Sequence, residues 1–259
     1  MDVGALLRWY SRVRRSLPWR ETRDPYALLV SEVMLQQTQA VRVVPFYEAF
    51  LAIFPDPAAL ATAAPRDVLS AWSGLGYNRR ALALQAAARH VAERGWPEDL
   101  TELPGVGPYT AAAVGSFAWD RQTAAVDTNV RRVLERHDGT PRRPGELADR
   151  AQGLVPPGRA ATFNQAMMEL GATVCRPRAP RCTECPVRTS CRGGPVAPSR
   201  RPHGAERFED TDRWARGRIL AALLKGAEPE VTGARRERAL AGLERDGLIV
   251  RDPEPRLPD

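Results

Sequence analysis

The four cysteines of this 259-residue chain all lie within one short segment, at Cys175, Cys182, Cys185 and Cys191. A secreted disulfide framework would spread its cysteines through the fold, so this grouping indicates a metal site. A zinc site with four cysteine ligands usually pairs two short C-x2-C-like knuckles, and only Cys182 and Cys185 form such a pair here. Four thiolates also suit an iron–sulfur cluster. The residues alone therefore indicate a metal and leave its identity open.

Two glycines, Gly105 and Gly107, interrupt a helical region in the string LPGVGPYTA, residues 103–111. Glycine tolerates positive φ and leaves backbone N–H groups uncovered, and Pro108 is a favoured residue for the first turn of a helix. Uncovered N–H groups at a helix N-terminus suit a phosphate. A plain turn between two helices is the alternative, because a G-x-G triplet alone is a weak signal.

Two acidic residues lie in strings that could carry acid–base chemistry. Glu32 belongs to SEVMLQQTQ, residues 31–39, and shares one helical face with Gln36. Asp127 belongs to VDTNVRRV, residues 126–133. Taken alone, the first string reads as a surface helix of mixed polarity and Asp127 as an ordinary N-cap.

The elements that must position these residues are helical. Asp24 and Pro25 predict a helix start, and apolar residues recur at helical spacing from there to residue 54. Further helices are predicted over 58–63, 66–72, 79–94, 109–118, 128–137 and 159–173, and no period-2 strand precedes residue 245. The sequence also lacks a transmembrane run and a signal-peptide pattern. We therefore expect an all-α, soluble intracellular protein.

Charge is concentrated near the cysteines. The net charge is +7, and residues 175–201 carry seven arginines and one acid, Glu184. This distribution suits a polyanion such as DNA, although many basic proteins bind no nucleic acid. Lysine is nearly absent, since Lys225 is the one lysine in the chain.

Seven motifs together resemble those of the helix-hairpin-helix DNA glycosylases in the endonuclease III superfamily, and most closely the MutY adenine glycosylases. They are LPWR at 17–20, SEVMLQQTQ at 31–39, GLGY at 74–77, LPGVGPYTA at 103–111, VDTNVRRV at 126–133, FNQAMMELG at 163–171 and the cysteine spacing. They occur in the family's order and cover residues 8–192. Chance agreement at this level is negligible.

The resemblance implies a two-lobed, all-α fold. A six-helix barrel with the helix-hairpin-helix would span 23–127, and residues 1–22 and 128–195 would form an iron–sulfur helical domain. Cys175, Cys182, Cys185 and Cys191 would bind a [4Fe–4S] cluster, which makes zinc the minor alternative.

The resemblance also implies the site residues. Glu32 would protonate adenine, Asp127 would stabilise the sugar cation, Tyr109 would support the sugar intermediate, and Asn129 would orient the site. The residues implied to line the base pocket or to contact DNA are Trp19, Arg20, Leu35, Gln36, Gln37, Tyr77, Gly105, Val106, Gly107 and Gln165. Among these, Gln37 and Tyr77 would wedge into the duplex beside the opposing base; a core aromatic is the alternative for Tyr77.

One position separates the subfamilies. Glycosylase/lyases place a Schiff-base lysine after the hairpin, and Tyr109 stands there instead, in a chain with no lysine before Lys225. We expect a monofunctional DNA glycosylase that hydrolyses the N-glycosidic bond of adenine mispaired with 8-oxoguanine or guanine in double-stranded DNA. It would act as a cytoplasmic, nucleoid-associated monomer.

Two other functions compete with this prediction. Mismatch thymine or uracil glycosylases also carry tyrosine at the position of Tyr109, but the string QQTQ matches the adenine enzymes more closely. A non-catalytic DNA-binding module is disfavoured because both carboxylates, Glu32 and Asp127, are present.

The C-terminal region departs from the family. Full-length members carry a domain similar to Nudix hydrolases that reads 8-oxoguanine, and the 68 residues after Cys191 are too few for it, so we expect a short form. A linker is predicted over 196–205 and a small winged-helix-like region over 206–259, with helices over 213–224 and 235–245 before a strand and turn in GLIVRDP. Because this region is charge-balanced, we expect a cap that does not itself read the opposing base.

Overall fold

The computed structural model describes residues 1–194 and 207–258. Helices cover most of this range. They are α1 Val3–Val13, α2 Pro25–Leu35, α3 Ala40–Ile53, α4 Pro57–Thr62, α5 Pro65–Ala71, α6 Arg79–Arg94, α7 Pro108–Trp119, α8 Thr128–Asp138, α9 Pro144–Gln152, α10 Ala160–Thr173, α11 Asp212–Leu224 and α12 Gly233–Arg245. Two short antiparallel strands, β1 Val250–Arg251 and β2 Pro255–Arg256, follow α12. The all-α prediction is confirmed.

The helical pattern over residues 25–54 predicted one continuous helix, and this prediction is wrong. The structure ends α2 at Leu35 and starts α3 at Ala40, with Gln37 between them in the left-handed region at φ 58°. Two helices, α1 and α9, were not predicted at all. Helix α1 begins at the N-cap Asp2, whose side chain accepts a hydrogen bond from the amide of Ala5.

The described chain divides into two compact units. The first comprises residues 1–32, 99–101 and 106–194, and the second comprises 33–98, 102–105 and 207–258. This division differs from the predicted domain boundaries, because it assigns 23–32 and all of 106–127 to the same unit as the cysteines. The domain boundaries stay a prediction, and the predicted linker at 196–205 lies outside the described residues.

In the first unit, α10 packs against α1, α7 and α8. Its apolar face contributes to a core of buried residues from α1, α8, α9 and α10: Leu6, Leu7, Val130, Val133, Leu134, Leu147, Phe163, Met167 and Leu170. Burying large apolar side chains of this kind is worth about 1.5–3 kcal/mol for each residue. This core holds the first turns of α8, next to the candidate site residue Asp127.

In the second unit, α4 and α5 pack against α6, and α11 packs against α12 and α5. Phe50 anchors an aromatic cluster, with its ring centroid 4.9 Å from that of Phe54 and 5.8 Å from that of Trp72. The C-terminal region is therefore part of this unit. No helix among the described residues combines the length and the apolar character that a membrane span requires.

Candidate active site

Glu32 is a buried carboxyl group on α2, with only 4% of its surface exposed. The hydroxyl of Tyr109 donates a hydrogen bond to its Oε2 at 2.9 Å. Burial raises the pKa of Glu32 to about 7, the hydrogen bond from Tyr109 works against that rise, and the negative charge of Asp127 adds to it. Glu32 therefore keeps its proton up to near-neutral pH, and the protonated form is the one that a general acid uses.

Tyr109 lies in the first turn of α7, directly after Pro108. Burial raises its pKa well above the usual value, and the nearby charges of Glu32 and Asp127 raise it further. The phenol consequently stays protonated and keeps a donor available for a neighbouring oxygen.

Asp127 is the N-cap of α8. Its Oδ1 accepts a hydrogen bond from the amide of Val130 at 2.7 Å, and its Oδ2 accepts one from Nδ2 of Asn129 at 2.8 Å. A negative charge is favoured at a helix N-terminus. An N-cap was the alternative predicted for Asp127 from the sequence, and Asp127 does cap α8. A carboxylate in this position can also stabilise a nearby positive charge.

Asn129 extends the contacts of Asp127 towards the cysteine segment. Its Oδ1 accepts a hydrogen bond from Arg132 at 2.7 Å, and Arg132 also donates to the carbonyl oxygen atoms of Gly171 and Cys175, each at 2.8 Å. A Cβ on Gly171 would lie 2.6 Å from Cβ of Asn129. Close packing of α8 on α10 therefore depends on this glycine.

Asn164 is a buried residue that sequence reasoning missed. Its Oδ1 accepts a hydrogen bond from the amide of Ala125 at 3.0 Å, and its Nδ2 donates to Ser116 Oγ and to the Thr123 carbonyl, each at 2.9 Å. These bonds fix the segment that leads to Asp127. The available signal was an asparagine in the apolar part of FNQAMMELG.

Of the predicted pocket residues in the first unit, Arg20 is the most heavily bonded. It donates to Glu169 at 2.6 Å and to the Arg15 carbonyl at 3.0 Å, and its guanidinium stacks over Tyr10. Burial raises the pKa of Glu169, but the hydrogen bonds from Arg15 and Arg20 outweigh that effect and hold it below its ordinary value. The sequence motif contained Glu169, but its partners were not predicted.

Two further pocket predictions lie in the same unit. Trp19 is buried in a short 3-10 turn, Pro18–Arg20. Gln165 accepts a hydrogen bond from the Tyr10 hydroxyl through Oε1 at 2.7 Å. Gln165 is thus held in place by a side chain of the same unit.

In the second unit, the structure brings Gln37 and Tyr77 together. The Tyr77 hydroxyl donates to Oε1 of Gln37. Both residues adopt the left-handed backbone region, with φ of 58° and 50°, which is uncommon for residues other than glycine. Strained backbone conformations of this kind cluster at functional sites. With 38% of its surface exposed, Tyr77 is not the core aromatic that was the alternative.

Arg80 fixes the backbone on both sides of this pair. It donates to the carbonyls of Val33 at 2.6 Å and Gln36 at 2.7 Å, at the end of α2. It also donates to the carbonyl of Gly76 at 3.2 Å. Because the last carbonyls of a helix lack intrahelical partners, this guanidinium caps α2. Sequence reasoning did not find Arg80.

The hairpin motif contributes residues to both units. In the second unit, Gly105 adopts φ 77°, and a Cβ at this position would lie 2.7 Å from Cβ of Ala83 on α6. Gly105, Gln36 and Arg80 line a cavity of about 150 Å³. In the first unit, Val106 is buried and Gly107 is the exposed N-cap of α7. Leu35, also a predicted pocket residue, is half-buried at the end of α2.

The cysteines form no disulfides, and their segment follows α10. Burial raises the pKa of Cys185, and the nearby thiols of Cys175, Cys191 and Cys182 add to the rise, so all four sulfur atoms lie within electrostatic range. Four thiols are the donor set that an iron–sulfur cluster uses. Within residues 1–194 and 207–258, however, no three candidate ligands are arranged to hold a single metal ion.

Arg136 links α8 to this segment. This buried side chain donates to the carbonyls of Arg176 at 2.7 Å and Pro177 at 2.8 Å, and its Nη1 lies 3.4 Å from Sγ of Cys175. Its Nε is buried with no hydrogen-bond partner among the described atoms. A buried cation beside the thiols would balance an anionic, thiolate-ligated group, so the residues present fit such a cluster.

The chain matches a model of a known protein family. The model for the "HhH-GPD superfamily base excision DNA repair protein" matches residues 30–157. The adenine DNA glycosylase of Mycobacterium tuberculosis (strain ATCC 25618 / H37Rv) is 42% identical over 278 residues, an alignment that covers 97% of this chain and 91% of that protein. The human adenine DNA glycosylase is 44% identical, with 73% of this chain and 38% of the human protein covered.

Solved structures give the same fold. A thermostable thymine-DNA glycosylase superposes with a TM-score of 0.68 at 32% identity, with 73% of this chain and 93% of that chain covered. A trapped endonuclease III–DNA covalent intermediate superposes with a TM-score of 0.65 at 22% identity, with 74% and 93% covered. The second likeness concerns the fold alone.

Proposed function

Since the chain belongs to the HhH-GPD superfamily of base excision DNA repair proteins, and within it to the adenine DNA glycosylases, we propose that it hydrolyses the N-glycosidic bond of adenine mispaired with 8-oxoguanine or guanine in duplex DNA. The observation that carries the proposal is the buried Glu32, with a pKa of about 7, hydrogen-bonded to Tyr109 and within electrostatic range of Asp127. The protein acts as a monomer on DNA of the nucleoid.

Glu32 is the general acid. Adenine leaves poorly as an anion, so a proton delivered to the base lowers the barrier to bond cleavage. A carboxyl group with a pKa near the working pH holds that proton and still donates it readily. Burial, the main cause of the raised pKa, is supplied by the packing around α2.

Asp127 stabilises the sugar cation that forms as the base departs. Its position at the N-terminus of α8 and its two N–H donors stabilise the negative charge of the carboxylate and fix its orientation. Two carboxyl groups in different environments can thus divide the work, as in glycoside hydrolases. Tyr109 supports the sugar intermediate through its hydroxyl, and water completes the hydrolysis.

Substrate binding requires the adenine to leave the base stack. Gln37 and Tyr77 fill the space beside the opposing base, while the amides of the hairpin at Gly105 and Gly107 bind phosphate. Trp19, Arg20, Leu35, Gln36, Val106 and Gln165 line the base pocket or contact the DNA around it. The guanidinium of Arg20 is already oriented for this role by its hydrogen bond to Glu169.

Adenine is favoured over thymine or uracil by the relatives. The adenine DNA glycosylase of M. tuberculosis is 42% identical to this chain, against 32% for the thymine-DNA glycosylase. The string QQTQ, which includes Gln36 and Gln37, points the same way.

Cys175, Cys182, Cys185 and Cys191 hold a [4Fe–4S] cluster, a proposal that rests on their number, their proximity and the buried cation of Arg136 beside them. The cluster would cross-link the segment after α10. Arg136 and Arg132 hold the segment to α8 through its carbonyl oxygens.

A base-release assay tests the function. Duplexes that contain A:8-oxoguanine, A:G, A:C, T:G and U:G pairs are incubated with excess protein, and the released base is identified chromatographically. We expect adenine from the A:8-oxoguanine and A:G duplexes. Release of thymine or uracil without adenine would establish the alternative, and no release from any duplex would refute glycosylase activity.

A further inference from the structure

The C-terminal region of the second unit contacts the residue assigned to the opposing base. Arg213, in the first turn of α11, lies with its guanidinium carbon 4.0 Å from the centroid of the Tyr77 ring. The guanidinium of Arg80, on α6, lies 5.2 Å from the same centroid. One tyrosine ring is therefore contacted by two cations that are far apart in the sequence.

The rest of Tyr77 is already constrained. Its hydroxyl is bonded to Gln37, its backbone is held in the left-handed region at φ 50°, and Arg80 donates to the carbonyl before it. Since Arg80 holds the backbone and Gln37 bonds the hydroxyl, Arg213 supplies the nearer of the two cation contacts to the ring itself. A cation over an aromatic face is worth about 0.5–1 kcal/mol at exposed sites.

Arg213 differs from the other arginines of α11. Arg216 pairs with Asp246 and Arg218 pairs with Glu230. Arg213 forms no ion pair with any carboxylate in the part of the chain that the structure describes, and its other contact is with the ring of Phe208 at 5.7 Å. Its guanidinium therefore contacts aromatic rings and no carboxylate among the described residues.

Other contacts anchor the C-terminal region to the same unit. Helix α11 packs against α5, and Asp246 pairs with Arg79, next to Arg80, at 3.5 Å. Loss of the Arg213 side chain would leave these contacts in place. The contact with Tyr77 can therefore be removed without removing the C-terminal region.

We propose that Arg213 is a positioning residue for opposing-base discrimination, which holds the Tyr77 ring in the orientation in which it enters the duplex. The proposal rests on the proposed function of Tyr77 in adenine excision. A ring that is ordered before DNA binding loses less conformational freedom when it is inserted. Ordering the Tyr77 ring would therefore affect how the opposing base is recognised. The cleavage of the adenine bond itself is the same step in A:8-oxoguanine and in A:G duplexes.

Single-turnover rates of adenine release from A:8-oxoguanine and A:G duplexes test this inference. The variants are Arg213→Ala, Tyr77→Leu and the double variant, with Arg218→Ala as a matched control on the same helix. We expect Arg213→Ala to lower the ratio of the two rates by about two- to fivefold, while Arg218→Ala retains the ratio. The double variant should lose no more than Tyr77→Leu alone, because the two residues act through one contact. Melting temperatures identify any loss of folding.

An unchanged ratio for Arg213→Ala, an equal loss on both duplexes, or additive losses in the double variant would each overturn the role of Arg213. Such results would leave adenine release by the unmodified protein intact. If the unmodified protein releases no adenine from either duplex, the proposed function itself is refuted, and this inference with it.

Discussion

Glu32 is ionisable and buried, a combination that favours the protonated carboxyl. In the folded protein its pKa is about 7, against 4.5 for an exposed glutamate. As pH rises from about 4.5 to about 7, the unfolded chain gives up this proton before the folded chain does. The folded state is therefore destabilised progressively across that window, and the cost stays constant above it.

Glu32→Gln should consequently stabilise the fold at alkaline pH. Because glutamine keeps the shape of the side chain without an ionisation cost, we expect the stability advantage of the variant to grow by about 1–2 kcal/mol between about pH 5.5 and about pH 8. Denaturant titrations at both pH values measure it. The control is Glu48→Gln, at an exposed position of α3. An advantage independent of pH would show that Glu32 ionises normally.

Tyr109 stands where a lyase would carry its amine nucleophile, so the enzyme should be monofunctional. Borohydride should trap almost no covalent adduct with DNA that contains the target adenine, and strand cleavage should require added alkali. The one lysine in the chain is Lys225. Efficient trapping, at Lys225 or at the N-terminal amine, would contradict this reading of Tyr109.

At the scale of elements, the hairpin depends on one glycine more than on the other. Gly105 has φ 77° and no space for a Cβ beside Ala83, whereas Gly107 has φ −89°, and a Cβ there would meet no atom within 4 Å. Gly105→Ala should therefore lower the free energy of unfolding by about 1–3 kcal/mol, and Gly107→Ala should change it little. Thermal melts of both variants compare them directly. Equal melting temperatures would refute the close approach of the hairpin to α6.

The hairpin and most helices could be predicted because their signals are local. Gly105, Pro108 and the N-cap Asp127 each carry a short-range preference that the sequence displays. The break between α2 and α3 could not be predicted, because Gln37 has no intrinsic preference for positive φ. The break is stabilised by Arg80, which donates to the carbonyl of Gln36 from 44 positions away.

In the candidate site, too, residues with a local sequence signal could be predicted and residues fixed by distant partners could not. Motifs identified Glu32 and Tyr109 as candidates, and the structure places them in contact. The partners that fix the surroundings, Glu169 for Arg20 and Asn164 for the segment before Asp127, depend on tertiary packing that has no local signature. The catalytic and DNA-binding roles themselves remain predictions.

At the scale of the whole molecule, the cysteine segment should carry a [4Fe–4S] cluster. Protein purified without oxygen should be yellow-brown and contain about four iron and four sulfide per chain. Replacement of Cys182, the exposed member of the set, with serine should reduce the iron content and the visible absorbance. Stoichiometric zinc without sulfide in the unmodified protein would identify the alternative metal site.

The central claim is that this chain releases adenine with a protonated Glu32. The most direct test is the pH dependence of single-turnover adenine release from an A:8-oxoguanine duplex, measured for the unmodified protein and for Glu32→Gln. The rate of the unmodified protein should be highest at acidic to neutral pH and fall above about pH 7, as Glu32 loses its proton. Glu32→Gln should be slower by about 10²–10⁴ and lack that decline. A variant that keeps both the rate and the pH profile of the unmodified protein would contradict the account.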